Sequence, residues 1–356
     1  VSATPTFRLG TADGGGPEDF GQVAGVVELS DGTIIVADGL ARELRAFDRS
    51  GTQLWRTGGA GPGPGELRAL SAIALLPGDS ILAAEFLQAS VFGPAGTYQR
   101  RFSRDPFPAG RGDVTIPSVQ GGLSDGTLLE TTMLGGSPEA DLPERPQVVA
   151  AFRDPEGRVL HEISESFLGP ARYVVVSPEQ TGQGIEVQTA TGDMGPETVF
   201  AVGSDWVAAG IQESFEIRRY RSDGSLFAIL RVAHAPPSVD KSRYVQHGLS
   251  DIDDPGRRAE VRKQREEAFL PETLPLFATI HVDLEERLWI QEFVPVYERR
   301  LPVWWVVGPG GEFLAEATLP ERFIPYRISS EEVLGVTLDP LDVPHVEVYR
   351  IGSDSG

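Results

Sequence analysis

Six times along this chain an apolar strand runs into an acidic or glycine turn and out again into a second apolar strand. The six turns are Asp31-Gly32, Gly78-Asp79, Asp125-Gly126, Ser204-Asp205, Glu285-Glu286 and, more weakly, Ser329-Ser330. Five copies are followed by a second hairpin with its own turn, at 47–51, 92–96, 152–157, 220–224 and 307–311. Asp-Gly and Gly-Gly supply the positive φ angles that tight hairpins require. A repeat of two hairpins is one four-stranded antiparallel sheet, and a single such sheet cannot bury both of its faces alone.

Stacking the copies around an axis solves that problem, and the result is an all-β, six-bladed β-propeller. The expected blades are 20–59, 68–105, 113–165, 198–233, 275–319 and 322–352. The sixth lacks a last strand, and residues 4–10 offer one, so the N-terminus is expected to pair with the C-terminal blade and close the ring. Closure removes exposed strand edges, which otherwise template aggregation. A β-sandwich would not repeat the same paired turn six times. A seventh or eighth blade would need to lie within 173–189.

Strand patterning agrees. Phe215-Glu216-Ile217-Arg218 alternates, placing Phe215 and Ile217 on one face. The first two strands of each copy, such as Ile34-Ile35-Val36-Ala37, are more continuously apolar, as expected of inner strands.

Three segments exceed ordinary propeller turns: 131–147, 166–197 and 234–274. Loops of this length are commonly functional, and in repeat folds they gather on one face. The last contains a helix signal. Asp254 is positioned as N-cap, and Pro255 sits in the first turn, where its missing N–H costs nothing. The helix is expected over 256–269, with Arg262/Glu266 and Lys263/Glu267 at i, i+4 spacing.

A net charge of −21 argues against nucleic acid, whose phosphates need clustered Lys and Arg. It also argues against direct contact with anionic lipid headgroups. The absence of cysteine removes disulfides, thiol catalysis and thiolate metal sites. No apolar run reaches the roughly 18 residues of a membrane span. Of 31 basic residues only Lys241 and Lys263 are lysine, which reads as a GC-rich bacterial source. Val1 opens a segment that already reads as a strand, so a mature chain that has lost an export signal is expected.

The loop Gly58-Gly59-Ala60-Gly61-Pro62-Gly63-Pro64-Gly65-Glu66-Leu67, the Asp-ended strand Val36-Ala37-Asp38 and the 47–51 turn resemble the NHL-type propeller repeat. More broadly the chain resembles bacterial six-bladed propellers of the NHL and TolB-like kind, over 20–104 and around 275–319. That resemblance implies the fold. It does not choose among interaction scaffolds, a peptide-processing lyase, and lactone or ester hydrolases with calcium in the central channel.

The chemistry-bearing residues are few. None of the five histidines forms a zinc-helix pair, and no Gly-x-Ser-x-Gly elbow occurs. His281 and Asp283 fall two apart on an expected strand, the spacing for a shared channel-facing metal or acid–base pair, although a satisfied strand histidine is the plainer reading. Asp251 and Asp253 invite a calcium reading but lack EF-hand spacing. Arg111-Gly112-Asp113 is an integrin-type tripeptide of a kind that arises by chance. No cofactor is indicated.

Trp304-Trp305 must point to opposite faces of a strand, which makes one of them a candidate interface anchor. The basic side chains Arg257, Arg258 and Arg262 are the other interaction candidates. Three functional readings stay open. The first is a non-catalytic, exported docking subunit, extrinsic to a membrane and attached to an integral-membrane complex (respiratory, photosynthetic or outer-membrane assembly) in the periplasm. The second is a metal-assisted hydrolase or lyase using the channel, and the third a small-ligand sensor.

Overall fold

The computed structural model describes residues 1–11, 15–104, 117–134, 145–178, 185–192 and 194–352, with backbone alone over 173–178 and 185–191. The tripeptide 111–113 and part of the 131–147 segment lie outside the described residues.

Each repeat folds as a four-stranded antiparallel meander. Blade 1 comprises Val23–Glu28, Ile34–Asp38, Glu43–Phe47 and Gln53–Gly58; blade 2 comprises Ala72–Leu76, Ser80–Ala84, Gln88–Phe92 and Tyr98–Ser103. Blade 3 comprises Ser118–Gly122, Leu128–Leu134, Gln147–Arg153 and Val159–Glu162, with the two-residue strand Phe167–Leu168 added to its third strand. Blade 4 comprises Thr198–Val202, Trp206–Ile211, Glu216–Arg221 and Leu226–Arg231; blade 5 comprises Thr279–Val282, Leu288–Gln291, Trp304–Val307 and Phe313–Ala317. Blade 6 takes Phe323–Ile328, Glu332–Leu338 and Pro344–Arg350 from the C-terminal end of the chain and Phe7–Leu9 from its start. The first strands of successive blades adjoin from blade 6 through blade 1 to blade 5, and Leu284 N–H donates to Ile328 O between blades 5 and 6. The molecule is a closed six-bladed β-propeller.

Turn acids do the same work in five of the six blades, blade 2 being the exception. Asp31, Asp48, Asp125, Asp154, Asp223, Asp283 and Asp339 each accept the backbone N–H two residues on, at 2.8–3.0 Å. In Asp48, Asp154, Asp283 and Asp339 the same oxygen also takes the N–H four residues on. A carboxylate thus organises a turn that a positive-φ residue completes, a glycine in five of them and Glu286 or Asp342 in the other two.

The burial order differs from the sequence expectation. In blade 1 the second and third strands are the most buried, while the first is only half-buried and the fourth alternates. The first strand borders the central channel, so part of its surface faces open space; the second and third are covered by neighbouring blades on both faces. Blade packing is apolar from one wedge to the next, for example Val36, Phe47, Val346 and Val348 between blades 1 and 6. A fully buried ionic group in blade 3 interrupts this. Glu130 in blade 3 receives Arg153 Nε and Nη2, both at 2.7 Å, and Arg104 on its other oxygen.

Residues Arg172–Pro178 and Ile185–Thr191 form a separate two-stranded hairpin joined to none of the six blade sheets. No extra blade lies there among the described residues.

Candidate functional site

In an antiparallel meander, turns between strands 1–2 and 3–4 leave from one end of the sheet, and connections 2–3 and blade-to-blade leave from the other. Here the first set is tight in every blade. The long connections all belong to the second set: Ser103 to Ser118, Leu134 to Gln147, Glu162 to Thr198, Arg231 to Thr279 and Gln291 to Trp304. All of these connections therefore start and end at one face of the ring.

The largest of them is closed at its base. Val239 N–H donates to Glu272 O and Leu274 N–H to Pro237 O, zipping the two stems together. Between the stems lie two helices, α1 (Lys241–Gln246) and α2 (Pro255–Glu267). The sequence signalled α2 alone. α1 forms because Asp240 caps Arg243 N–H at 2.9 Å and Tyr244 and Val245 find buried positions. α2 starts as expected, with Asp254 accepting Arg257 N–H at 2.6 Å. Lys263 reaches Glu267 at 3.9 Å, whereas no ion pair joins Arg262 to Glu266 among the described residues. None of the 13 residues of α2 is buried. Side-chain bonds to carbonyls hold it: Arg258 to Ile252 O and Arg265 to His247 O.

The neighbouring 292–303 loop braces this platform. Tyr297 Oη accepts Asp240 N–H at 3.2 Å, Arg243 stacks over the Tyr297 ring, and Arg299 pairs with Asp251 at 2.8 Å. Asp251 is thus held by a guanidinium, Asp254 caps a helix, and Asp253 is exposed beside them. The three carboxylates have separate duties, and this loop carries no assembled calcium ligand set.

His281 and Asp283 are also divided. His281 lies on the first strand of blade 5 with its ring 5.7 Å from that of Trp304. It is half-buried, and the protein packed around it pushes its pKa down to about 4. It is neutral at pH 7. Asp283 lies beyond the end of the strand, in the turn. Its carboxylate accepts Glu285 N–H, Arg287 N–H, Arg287 Nε at 2.6 Å and Trp289 Nε1 at 2.7 Å. Four donors saturate it. No group of three or more His, Asp or Glu side chains is arranged to hold a metal ion among the described residues.

Trp304 and Trp305 point apart, as strand geometry requires. Trp304 is buried among Trp289, Phe323 and Tyr349 between blades 5 and 6. Trp305 faces blade 4, with its ring 5.9 Å from that of Phe215. It lines a cleft of about 540 Å³ between the outer parts of blades 4 and 5. Propeller blades splay outward, and larger side chains must fill the widening wedge. Phe277 and Ile280 fill its inner part, but the outer part stays open. The stems of the helical insertion, through His234, Pro237, Pro275 and Leu276, form part of its wall. Nothing in the sequence marked Phe215 as part of a site, because its signal is a backbone angle: it sits at φ +40°.

No family model matches the chain, and no curated protein matches it. Among solved structures, a member of the DUF4221 family from Bacteroides vulgatus superposes with a TM-score of 0.54 at 10% identity, covering 98% of this chain and 97% of that one. A protein described as exported, from Bacteroides fragilis, gives 0.49 at 12% identity over 97% and 94% of the two chains. A streptogramin B lyase gives 0.42 at 10% identity over 97% of each. Likeness at this level of identity is likeness of fold.

Proposed function

We propose that this protein is a non-catalytic, exported docking propeller whose insertion-bearing face seats a protein partner. The observation that carries the reading is α2, a 13-residue helix with no buried residue. Helices of this length are marginal in water unless a face is packed. α2 is held in place by guanidinium bonds and offers Arg257, Arg262 and Lys263 outward. It carries five basic residues against three acidic ones, a local basic excess on a chain of net charge −21, which suits an acidic protein surface.

Attachment to an integral-membrane complex belongs to the same proposal. No helix among the described residues is long and apolar enough to cross a membrane, so attachment would run through the partner or through an anchor outside this sequence. The NHL-type assignment also belongs here. It is supported by the 58–67 loop, which links blades 1 and 2 through Leu67 N–H to Gly59 O, and by Asp38, whose carboxylate gathers the N–H groups of Gly21, Leu40 and Ala41. The channel-hydrolase reading is less favoured, because His281 packs on Trp304 and Asp283 is saturated within its turn.

The test is gentle purification from native membranes, comparing the wild-type chain with the R257E/R262E/K263E variant. The expected result is co-purification in fixed ratio with one integral-membrane complex, lost in the variant while its melting temperature is unchanged. A wild-type protein that arrives alone and free of membranes overturns the reading.

A further inference from the structure

The cleft between blades 4 and 5 has features that docking on the insertion face does not use. Its walls are aromatic and aliphatic, with Trp305, Phe215, Leu230 and Phe313 prominent among them. Its volume of about 540 Å³ lies within the range of small-molecule sites, roughly 300–1,000 Å³. It is also shaped by backbone that resists its conformation. Phe215 holds φ +40°, unusual for a bulky residue, and such residues persist where surrounding structure imposes them, often at binding sites. The Phe277 ring, 5.1 Å away, and the Trp305 ring brace it there.

The polar groups at the cleft decide the chemistry. Two carboxylates line it, Glu292 and Glu316, and no Lys or Arg does. Glu292 is already neutralised, because Arg300 grips both of its oxygens at 2.6 and 2.7 Å. Glu316 is exposed and has no ion pair or hydrogen bond to its carboxylate. On the same face of the blade it stands opposite Trp305 in the register of the sheet. A carboxylate beside an indole face is a paired recognition element for an organic cation, through charge and through the ring quadrupole.

We propose that this inter-blade cleft binds a small amphiphilic amine: an apolar ring or chain lying against Trp305, Leu230 and Phe313, with its ammonium group against Glu316. This goes beyond docking and uses none of the α2 side chains Arg257, Arg262 and Lys263, so either proposal can fail alone.

The test uses three probes sharing one ring: 2-naphthylmethylamine, 2-naphthylmethanol and 2-naphthoate, titrated into the full chain by calorimetry. The amine is expected to bind about 5-fold or more tighter than the alcohol, and the carboxylate most weakly. In E316Q the amine is expected to fall to the alcohol's affinity, with the alcohol unchanged. V232W, at an exposed position on the cleft wall, is expected to lose all three. Equal binding of amine and alcohol, unchanged selectivity in E316Q, or no binding of any probe overturns the proposal. So does a wild-type dimer that V232W converts to monomer on sedimentation, since the cleft would then belong to a second copy of the chain.

Discussion

Thr6 directs both its backbone N–H, at 2.8 Å, and its hydroxyl, at 3.2 Å, to the carbonyl oxygen of Val348, 342 residues further along the chain. The next residues, Phe7 and Leu9, are buried against blade 6 and blade 1. The ring is therefore closed by chain ends rather than by a loop, and its last strand is short. Deleting residues 1–10 removes two buried side chains and exposes an edge of Pro344–Arg350. Each lost side chain is worth about 2–4 kcal/mol. A clear drop in the urea midpoint is expected, with aggregation on heating. An unchanged midpoint would mean that the closing strand does not support the ring.

Two turn glycines with the same backbone angle should respond differently to substitution. Gly32 and Gly126 sit at φ +87° and +89°, so a valine at either is strained by about 1 kcal/mol or more. Around Gly32 nothing lies closer than 3.9 Å to an added Cβ, whereas at Gly126 the rings of Pro77 and Pro155 lie at 2.9 and 3.1 Å. G126V should lose more stability than G32V, by roughly a further 1–3 kcal/mol. Equal losses in denaturant titrations would show that conformation alone governs both sites.

Glu130 lies fully buried between two guanidiniums. Replacing it with Gln leaves two buried cations sharing one neutral acceptor, and removing one partner of a buried ionic group typically costs about 3–5 kcal/mol. Glu156 offers the control: its contacts with Arg100 and Arg158 are long and exposed, and E156Q should change stability by less than about 1 kcal/mol. Comparable effects of the two substitutions would contradict the buried role of Glu130.

Acid should act in two windows. Burial lowers the His281 pKa from 6.5 to about 4, so the unfolded chain binds a proton there that the folded chain refuses. Stability from this group is complete above pH 6.5 and is lost as pH falls towards 4. Below that, the turn aspartates take over. The Thr33 N–H holds Asp31, the Ser50 hydroxyl Asp48, the Ser225 hydroxyl Asp223 and the Val343 N–H Asp339 below the ordinary carboxylate value of 3.8. Their contribution is present above pH 3.8 and disappears as they protonate. Urea midpoints measured from pH 7 to 3 should fall in both windows, and H281Q should flatten only the upper one. An upper slope that survives H281Q would point to another titrating group.

Much of the fold was legible because its information is local. A turn acid bonds an N–H two residues away, a cap such as Asp254 bonds one three residues away, and alternation along a strand assigns Trp304 and Trp305 to opposite faces whatever surrounds them. The unmatched sixth repeat and the strand-like N-terminus likewise implied each other. The candidate site was less legible. His281 and Asp283 have the spacing of a pair, but the strand ends at Val282, and Asp283 turns to Arg287 and Trp289 instead. Asp251 is claimed by Arg299 from another blade connection.

The six-fold repeat of four-stranded blades, the turn chemistry and ring closure were determined by sequence alone, since each depends on residues adjacent in the chain or on counting repeats. Tertiary structure alone decided that Glu130 is buried between Arg104 and Arg153, that the 292–303 loop braces the helical insertion, and that blades 4 and 5 leave an open wedge at Trp305. These depend on distances between residues far apart in the chain, which the radial splay of six blades sets and no local pattern encodes.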